Sequence, residues 1–162
     1  MDDLIMARTR AEELWRQAYT HQMQGELAEA IRLYQASIET YATAEAHTFL
    51  GWTYSFLTRY EDAIVECLKA IGIDPNYGNP YNDIGVYYLD TDRPAEAINW
   101  LLQATTAPRY ESPHYPWCNL GRVYEKIGPL SEAVRCYRMA LEFAPDYPPA
   151  KEALKVLIAH MN

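Results

Sequence analysis

The chain has 162 residues, enough to bury roughly 70 % of the surface that an unfolded chain of this size exposes, so it needs no disulfide or metal staples. Apolar residues make up 49 % and charged residues 22 %, the composition of a soluble globular domain, and Gly is scarce at seven. The formal charge of −8 argues against nucleic acid or an anionic membrane as a partner, since both require a cationic face.

The chain opens on Met1-Asp2-Asp3-Leu4-Ile5-Met6-Ala7-Arg8. That stretch has acid where a secretory signal carries base, and no long apolar run follows. No segment approaches the ~20 apolar residues of a membrane span. The cysteines are Cys67, Cys118 and Cys136. An odd number, spaced 51 and 18 apart, is neither a disulfide framework nor a zinc signature. These features lead us to expect a cytoplasmic protein with reduced thiols, outside any membrane.

From residue 11 the chain repeats itself. Leu50-Gly51 with Tyr54 returns as Ile84-Gly85 with Tyr88 and as Leu120-Gly121 with Tyr124. A second landmark, Ala30, returns as Ala63, Ala97 and Ala133, at intervals of 33, 34 and 36 residues. Pro75 and Pro145 close two of the units. We place repeats at about 11–43, 44–77, 78–111 and 114–147, with a closing helix over 148–161, all within a single domain 1–162. Apolar residues return at three- and four-residue steps inside each unit, so every repeat reads as two helices. Ala18, Gly51, Gly85 and Gly121 allow close approach from the first helix, and the recurring alanines allow it from the second. Tyr54, Tyr88, Tyr124, Tyr34, Leu101 and Tyr137 fill the space between. Asn79-Pro80 and Gly128-Pro129 read as an N-cap followed by a first helical proline, and Asp74-Pro75 as a stop. Asp92 is expected near the positive end of the helix that follows it. Two extra residues fall in 107–116, where three prolines predict an extended ordered loop.

The fullest unit runs from His114 to Tyr147 with Trp117, Leu120-Gly121, Tyr124, Gly128, Ala133, Tyr137, Ala140 and Pro145. This closely resembles the tetratricopeptide repeat, of period 34. The resemblance implies an all-α, right-handed α-solenoid of stacked antiparallel helix pairs. The first unit departs from the pattern: Gln17-Ala18 replaces Leu-Gly, His21 replaces the tyrosine and Ala42 the final proline.

Little in the sequence points to chemistry. No two glycines lie close enough to cradle phosphate, and no serine sits in a glycine elbow. Counted as a calcium loop from Asp90, the required glycine falls on Ala95 and the bidentate glutamate on Leu101. His114 and Cys118 are four apart, but two ligands do not make a zinc site, and Pro116 is expected to delay the helix past both. His21 and His47 read as core histidines. The sequence therefore predicts no enzyme, no cofactor and no metal.

Function is then expected on a surface. By the resemblance, the second, fifth, sixth, ninth, twelfth and thirteenth positions of each first helix face a concave groove. That register assigns Trp15, Tyr19, Phe49, Trp52 and Phe56 to the first two units. In the last two it assigns Asn82 and Asp83, then Asn119 and Arg122. Either the aromatics pack against neighbouring helices or residues 1–10, or they form a patch that grips a partner. Family members that clamp acidic chaperone tails use Lys, Asn, Asn, Lys and Arg. The matching positions here hold Trp15, Tyr19, Phe49, Asn79 and Asp83, so that specificity is not expected. The expected function is a protein-interaction module that binds a partner peptide or helix, with Trp15, Tyr19, Phe49, Trp52, Phe56, Asn82, Asn119 and Arg122 as groove residues. Homo-oligomeric scaffolding by self-association is the alternative. A fainter resemblance of the 107–113 loop and Asn119-Leu120-Gly121 to type IV pilus accessory proteins gives a third reading. Tyr110 and Tyr115 are expected either to space the repeats or to add to the binding surface.

Overall fold

Each helix pair is set by what one helix lacks. A Cβ added at Gly85 would lie 2.5 Å from the Leu101 side chain, and one at Gly121 would lie 2.6 Å from the Tyr137 ring. At Gly51 the obstacle is backbone, the Ala63 carbonyl oxygen at 2.8 Å, with Cys67 Sγ at 3.4 Å. The knob opposite Gly51 is thus a cysteine, where two other repeats use leucine and tyrosine. Ala18, Ala30, Ala63, Ala97 and Ala133 are all buried, so the helices meet where both sides are small.

The computed structural model describes residues 1–161, and Asn162, included in the expected domain, lies outside the described residues. The described residues form nine α-helices and no β-strand. They fall into two compact units, Met1–Pro75 and a second that starts at Asn76. The first holds α1 (Asp2–Met23), α2 (Leu27–Thr40), α3 (Ala44–Phe56) and α4 (Tyr60–Ile73). Here α1 pairs with α2, α3 with α4, and α2 packs on α3. The second holds α5 (Asn79–Asp90), α6 (Pro94–Thr106), α7 (His114–Ile127), α8 (Leu130–Phe143) and α9 (Pro148–Met161). In it α5 pairs with α6 and α7 with α8, while α6 packs on α7 and α8 on α9.

The core of the first unit is tied by polar contacts as well as apolar ones. Tyr34 Oη donates to Gln22 Oε1 at 2.7 Å, and Ser37 Oγ donates to the Ala11 carbonyl at 2.7 Å. His47 Nδ1 and Glu66 Oε2 lie 2.6 Å apart, both residues buried, and Lys69 Nζ donates to the other Glu66 oxygen at 2.9 Å. Burial works against the Glu66 charge, yet the hydrogen bonds from His47 and Lys69 hold its carboxyl below the ordinary range. In the second unit one cluster gathers Leu101, Leu120, Val123 and Cys136, and a second gathers Tyr137, Ala140, Ala150 and Leu157. Trp117 and Tyr124 pack against both.

Several local expectations are corrected. Asn79 is itself the first residue of α5, with Gly78 before it and no side-chain cap. Gly128 closes α7 with φ +67°, and Pro129 precedes α8. Thr43 supplies a side-chain N-cap that the pattern did not single out, its Oγ1 accepting from the Ala46 N–H at 3.1 Å. Asp92 stands next to Arg93, the N-cap of α6, and so near the start of that helix as expected, though no side chain caps it. Asp92 itself adopts φ +57° in the turn, and its carboxylate meets Lys126 Nζ of α7 at 3.2 Å. Residues 1–10 are no separate segment: α1 begins at Asp2 and carries Leu4, Ile5 and Met6 exposed. Because they continue the axis of the helix that bears Trp15, they do not fold over it.

The loop after α6 is ordered, and shorter than expected, because α7 starts at His114. Arg109 N–H donates to the Asn76 carbonyl at 3.0 Å and Gly78 N–H to the Arg109 carbonyl at 3.0 Å, an isolated parallel bridge of Tyr77 with Arg109. A Cβ on Gly78 would fall 2.6 Å from Tyr110, so only glycine lets that ring lie flat against the chain.

Candidate docking face

In the first unit, α1 brings Trp15 and Tyr19 to the same side one turn apart, and α3 does the same for Phe49, Trp52 and Phe56. The five rings form one unbroken ladder. Trp15 stacks on Tyr19 at 5.8 Å with an interplanar angle of 4°, and Phe49 meets Trp15 edge-on at 5.0 Å and Tyr19 at 5.7 Å. The ladder continues from Phe49 to Trp52 at 5.7 Å and from Trp52 to Phe56 at 5.3 Å. Trp15, Phe49 and Trp52 are half-buried, while Tyr19 is 38 % and Phe56 52 % exposed. The inner rings thus pack on one another, and the outer ones face solvent. Trp15 also lines a cleft of about 290 Å³ with Arg8, Glu12, Tyr41 and Glu45.

In the second unit the four polar and charged residues of the expected groove form a relay. Arg122 Nη1 donates to Asn119 Oδ1 at 3.0 Å, and Asn119 Nδ2 donates to Asn82 Oδ1 at 3.0 Å. Asn82 in turn hydrogen-bonds the Asp83 carboxylate, and Arg122 lies 3.8 Å from Asp90. Burial pushes the Asp83 carboxyl up to about 7, with the Asn82 bond opposing it. Asn82 is only 8 % exposed, so it positions Asn119 more than it presents itself. Arg122 and Asn119 carry the accessible end.

The fifth groove position does not face solvent in the last three repeats: Thr48, Asn82 and Cys118 are buried there, as are Gln22 and Leu89 of the twelfth. Tyr110 packs on Gly78, and Tyr115 joins a ring cluster with His114 and Tyr147. The helix containing Pro116 starts at His114, so proline does not part His114 from Cys118. It stands in the first turn, where a missing N–H costs nothing. Burial lowers the His114 pKa and pushes the Cys118 and Cys136 thiols up to about 11. His21, expected in the core, is only half-buried and pairs with Glu26 in the following turn. Among the described residues, no three His, Cys, Asp or Glu side chains gather as a metal site would require, and no helix is long and apolar enough to cross a membrane.

The fold is an α-solenoid of paired helices. Sequence profiles of the tetratricopeptide repeat match residues 14–44, 44–77 and 115–147, together more than half of the sequence. The chain belongs to the tetratricopeptide repeat family. No curated protein matches it in sequence. Among solved structures, that of Pseudomonas aeruginosa PilF superposes with a TM-score of 0.90 at 18 % identity, covering 96 % of this chain and 70 % of that one. PilW, described as a widely conserved type IV pilus biogenesis factor, gives 0.80 at 20 % identity over 86 % of this chain and 64 % of its own. YrrB, described as a TPR protein with an unusual peptide-binding site, gives 0.68 at 21 % identity over 91 % and 76 %. At these identities the likeness is one of fold.

Proposed function

We propose that this chain is a non-enzymatic, cytoplasmic docking module of one domain, which binds a peptide or helix of another protein on the faces of its first helices. Trp15, Tyr19, Phe49, Trp52 and Phe56 grip apolar side chains, while Asn119 and Arg122, oriented through Asn82, hydrogen-bond polar ones. One observation carries the reading: five rings in continuous contact whose outer members remain open to solvent. A domain that needed these rings only for packing would have closed Tyr19 and Phe56 off. The test is the double variant Tyr19→Ala, Phe56→Ala, used as bait in an affinity capture beside the native chain. Loss of a specific partner with a melting midpoint within about 2 °C of native supports docking. Undiminished capture, or a midpoint lowered by about 8 °C or more, would make the rings ordinary core.

A second reading is favoured by the likeness to PilF and PilW: an accessory role in type IV pilus assembly. Normal surface pili after deletion of the gene would dismiss it.

A further inference from the structure

We propose that the cleft at the Trp15 end of the aromatic ladder binds a carboxylate, the side chain of a Glu or Asp in a partner peptide, through Arg8; this rests on the docking function above and names one residue type of the partner. The protein's own arginines show what is missing there.

An arginine stacked on an aromatic ring has the face of its guanidinium covered and its N–H edge open. At three places in the chain a carboxylate three residues away fills that edge. Arg59 lies over Tyr54 at 4.3 Å and donates to Asp62 at 2.8 Å. Arg93 lies over Tyr88 at 4.7 Å and donates to Glu96 at 2.7 Å. Arg135 lies over Trp117 at 5.7 Å and donates to Glu132 at 2.9 Å. Arg109, over Tyr77 at 4.1 Å, has a further interaction as well. Arg8 lies over Tyr41 at 5.4 Å, yet among the described residues no carboxylate pairs with it. Ile5 and Ala11 stand three residues to either side, and Glu12, four residues on, is bound to Arg16 at 2.5 Å. Arg8 is thus the one Lys or Arg of residues 1–75 outside an ion pair.

Arg8 lines the cleft of about 290 Å³ together with Trp15, Tyr41, Glu12 and Glu45. Both carboxylates of that lining are engaged, Glu12 with Arg16 and Glu45 in an interaction of its own, so Arg8 carries the cleft's uncommitted charge. The wall holds a second unmet donor, because the Trp15 Nε1–H is buried with no acceptor. The volume lies at the lower end of small-molecule sites and suits a single side chain rather than a whole ligand. Trp15 is also the first ring of the ladder, so a peptide seated on the rings brings a neighbouring side chain to the cleft. Residues 1–75 hold twelve Asp and Glu against six Lys and Arg, so the guest's carboxylate is held by contact and not drawn in from a distance. A basic side chain finds no free carboxylate in the cleft, and a neutral amide forgoes the charge-assisted bond.

The test uses the full chain, isotope-labelled, and three capped peptides of about five residues, each reaching about 17 Å when extended. They share flanking Leu and Phe and differ only in a central Glu, Gln or Lys. Nuclear magnetic resonance titration gives each Kd and follows the Trp15 indole N–H and the Arg8 Nε–H. The Glu peptide is expected to move both signals and to bind about three- to fivefold tighter than the Gln peptide, the range of an exposed ion pair. The Lys peptide should be the weakest. Arg8→Gln should erase the preference for Glu and leave the Kd of the Gln peptide unchanged. Glu12→Gln removes the nearest carboxylate able to compete for Arg8 and should enlarge the preference. If the Gln or Lys peptide binds as tightly as the Glu peptide and is lost on Phe56→Ala, the ladder docks peptides but the carboxylate assignment is refuted. If the preference for Glu survives Arg8→Gln, the anion is held elsewhere and the inference is overturned. If none of the three binds at about 2 mM, the inference also fails, and the affinity capture above decides the docking reading separately.

Discussion

Asp83 enters α5 beside Asn82, under the loop that carries Tyr110, and burial pushes its carboxyl from 3.8 up to about 7. A raised carboxyl pKa means that the fold prefers the neutral acid. The stability that Asp83 contributes is therefore whole below pH 4, is lost progressively between pH 4 and 7, and is absent above. A tenfold change in an acid's ionisation equilibrium corresponds to about 1.36 kcal/mol, so the full span would be about 4 kcal/mol; with the residue partly open to solvent, about 2 kcal/mol is the expected size. The perturbation is Asp83→Asn, which keeps the shape and stays neutral. Urea unfolding followed by circular dichroism at pH 4.5 and pH 8 compares it with the native chain. Near pH 4.5 the two should be similar, and at pH 8 the variant should be the more stable by about 2 kcal/mol. A stability difference that stays flat across this range, or a variant that is weaker at pH 8, would show that the carboxylate is well solvated or paired and would refute the reasoning.

Three further outcomes are expected. Gly121→Ala forces a Cβ to within 2.6 Å of the Tyr137 ring and should cost about 2–3 kcal/mol in urea unfolding; combining it with Tyr137→Leu should recover part of that loss, and strict additivity would contradict direct contact. Glu66→Ala strips buried His47 of its carboxylate partner and should cost about 3 kcal/mol, whereas a loss under about 0.5 kcal/mol would mean that the pair is solvated. Thr58 holds φ +57° with a β-branched side chain in the open, so Thr58→Gly should raise stability by about 0.5 kcal/mol after the larger unfolded-state entropy of glycine is counted; a decrease would show that the hydroxyl makes a contact worth more than the strain.

The helix pairs are legible in the sequence because their cause is local and periodic. A small residue facing a large one leaves a mark every 33 to 36 positions, and Gly85 against Leu101 or Gly121 against Tyr137 can be read from spacing alone. The turns are less legible. Gly25, Thr58, Asp92 and Gly128 all take φ between +57° and +80° at matching places in the four repeats, but only two are glycines. Backbone geometry is shared there while residue type is not, so a search for glycine misses half the set. The acidic side chain of Asp92 suggests service at a helix start, whereas its backbone role in the turn and its reach to Lys126 belong to tertiary structure. The same holds for His114, where Pro116 suggests a late helix start. In a first turn proline breaks no hydrogen bond, so the helix can begin two residues before it.

The face itself is legible to within a turn of helix and no better, for a physical reason. Six positions of a first helix span more than one side of it, and only the stripe formed by the second, sixth, ninth and thirteenth has no buried member in any repeat. Their steps of four, three and four residues are those of a single helical face. The fifth and twelfth lie at its edge, against the next helix, which is why Thr48, Asn82, Cys118, Gln22 and Leu89 are buried. The residues free to vary without disturbing the stack are then clearest at the ninth and thirteenth positions, none of which is buried. The ninth holds Tyr19, Trp52, Val86 and Arg122, and the thirteenth Met23, Phe56, Asp90 and Lys126. In each series the first two members are aromatic or apolar and the last is a cation. On the docking proposal, partner choice is therefore written in those eight side chains, with the inner rings Trp15 and Phe49 holding the apolar members in place.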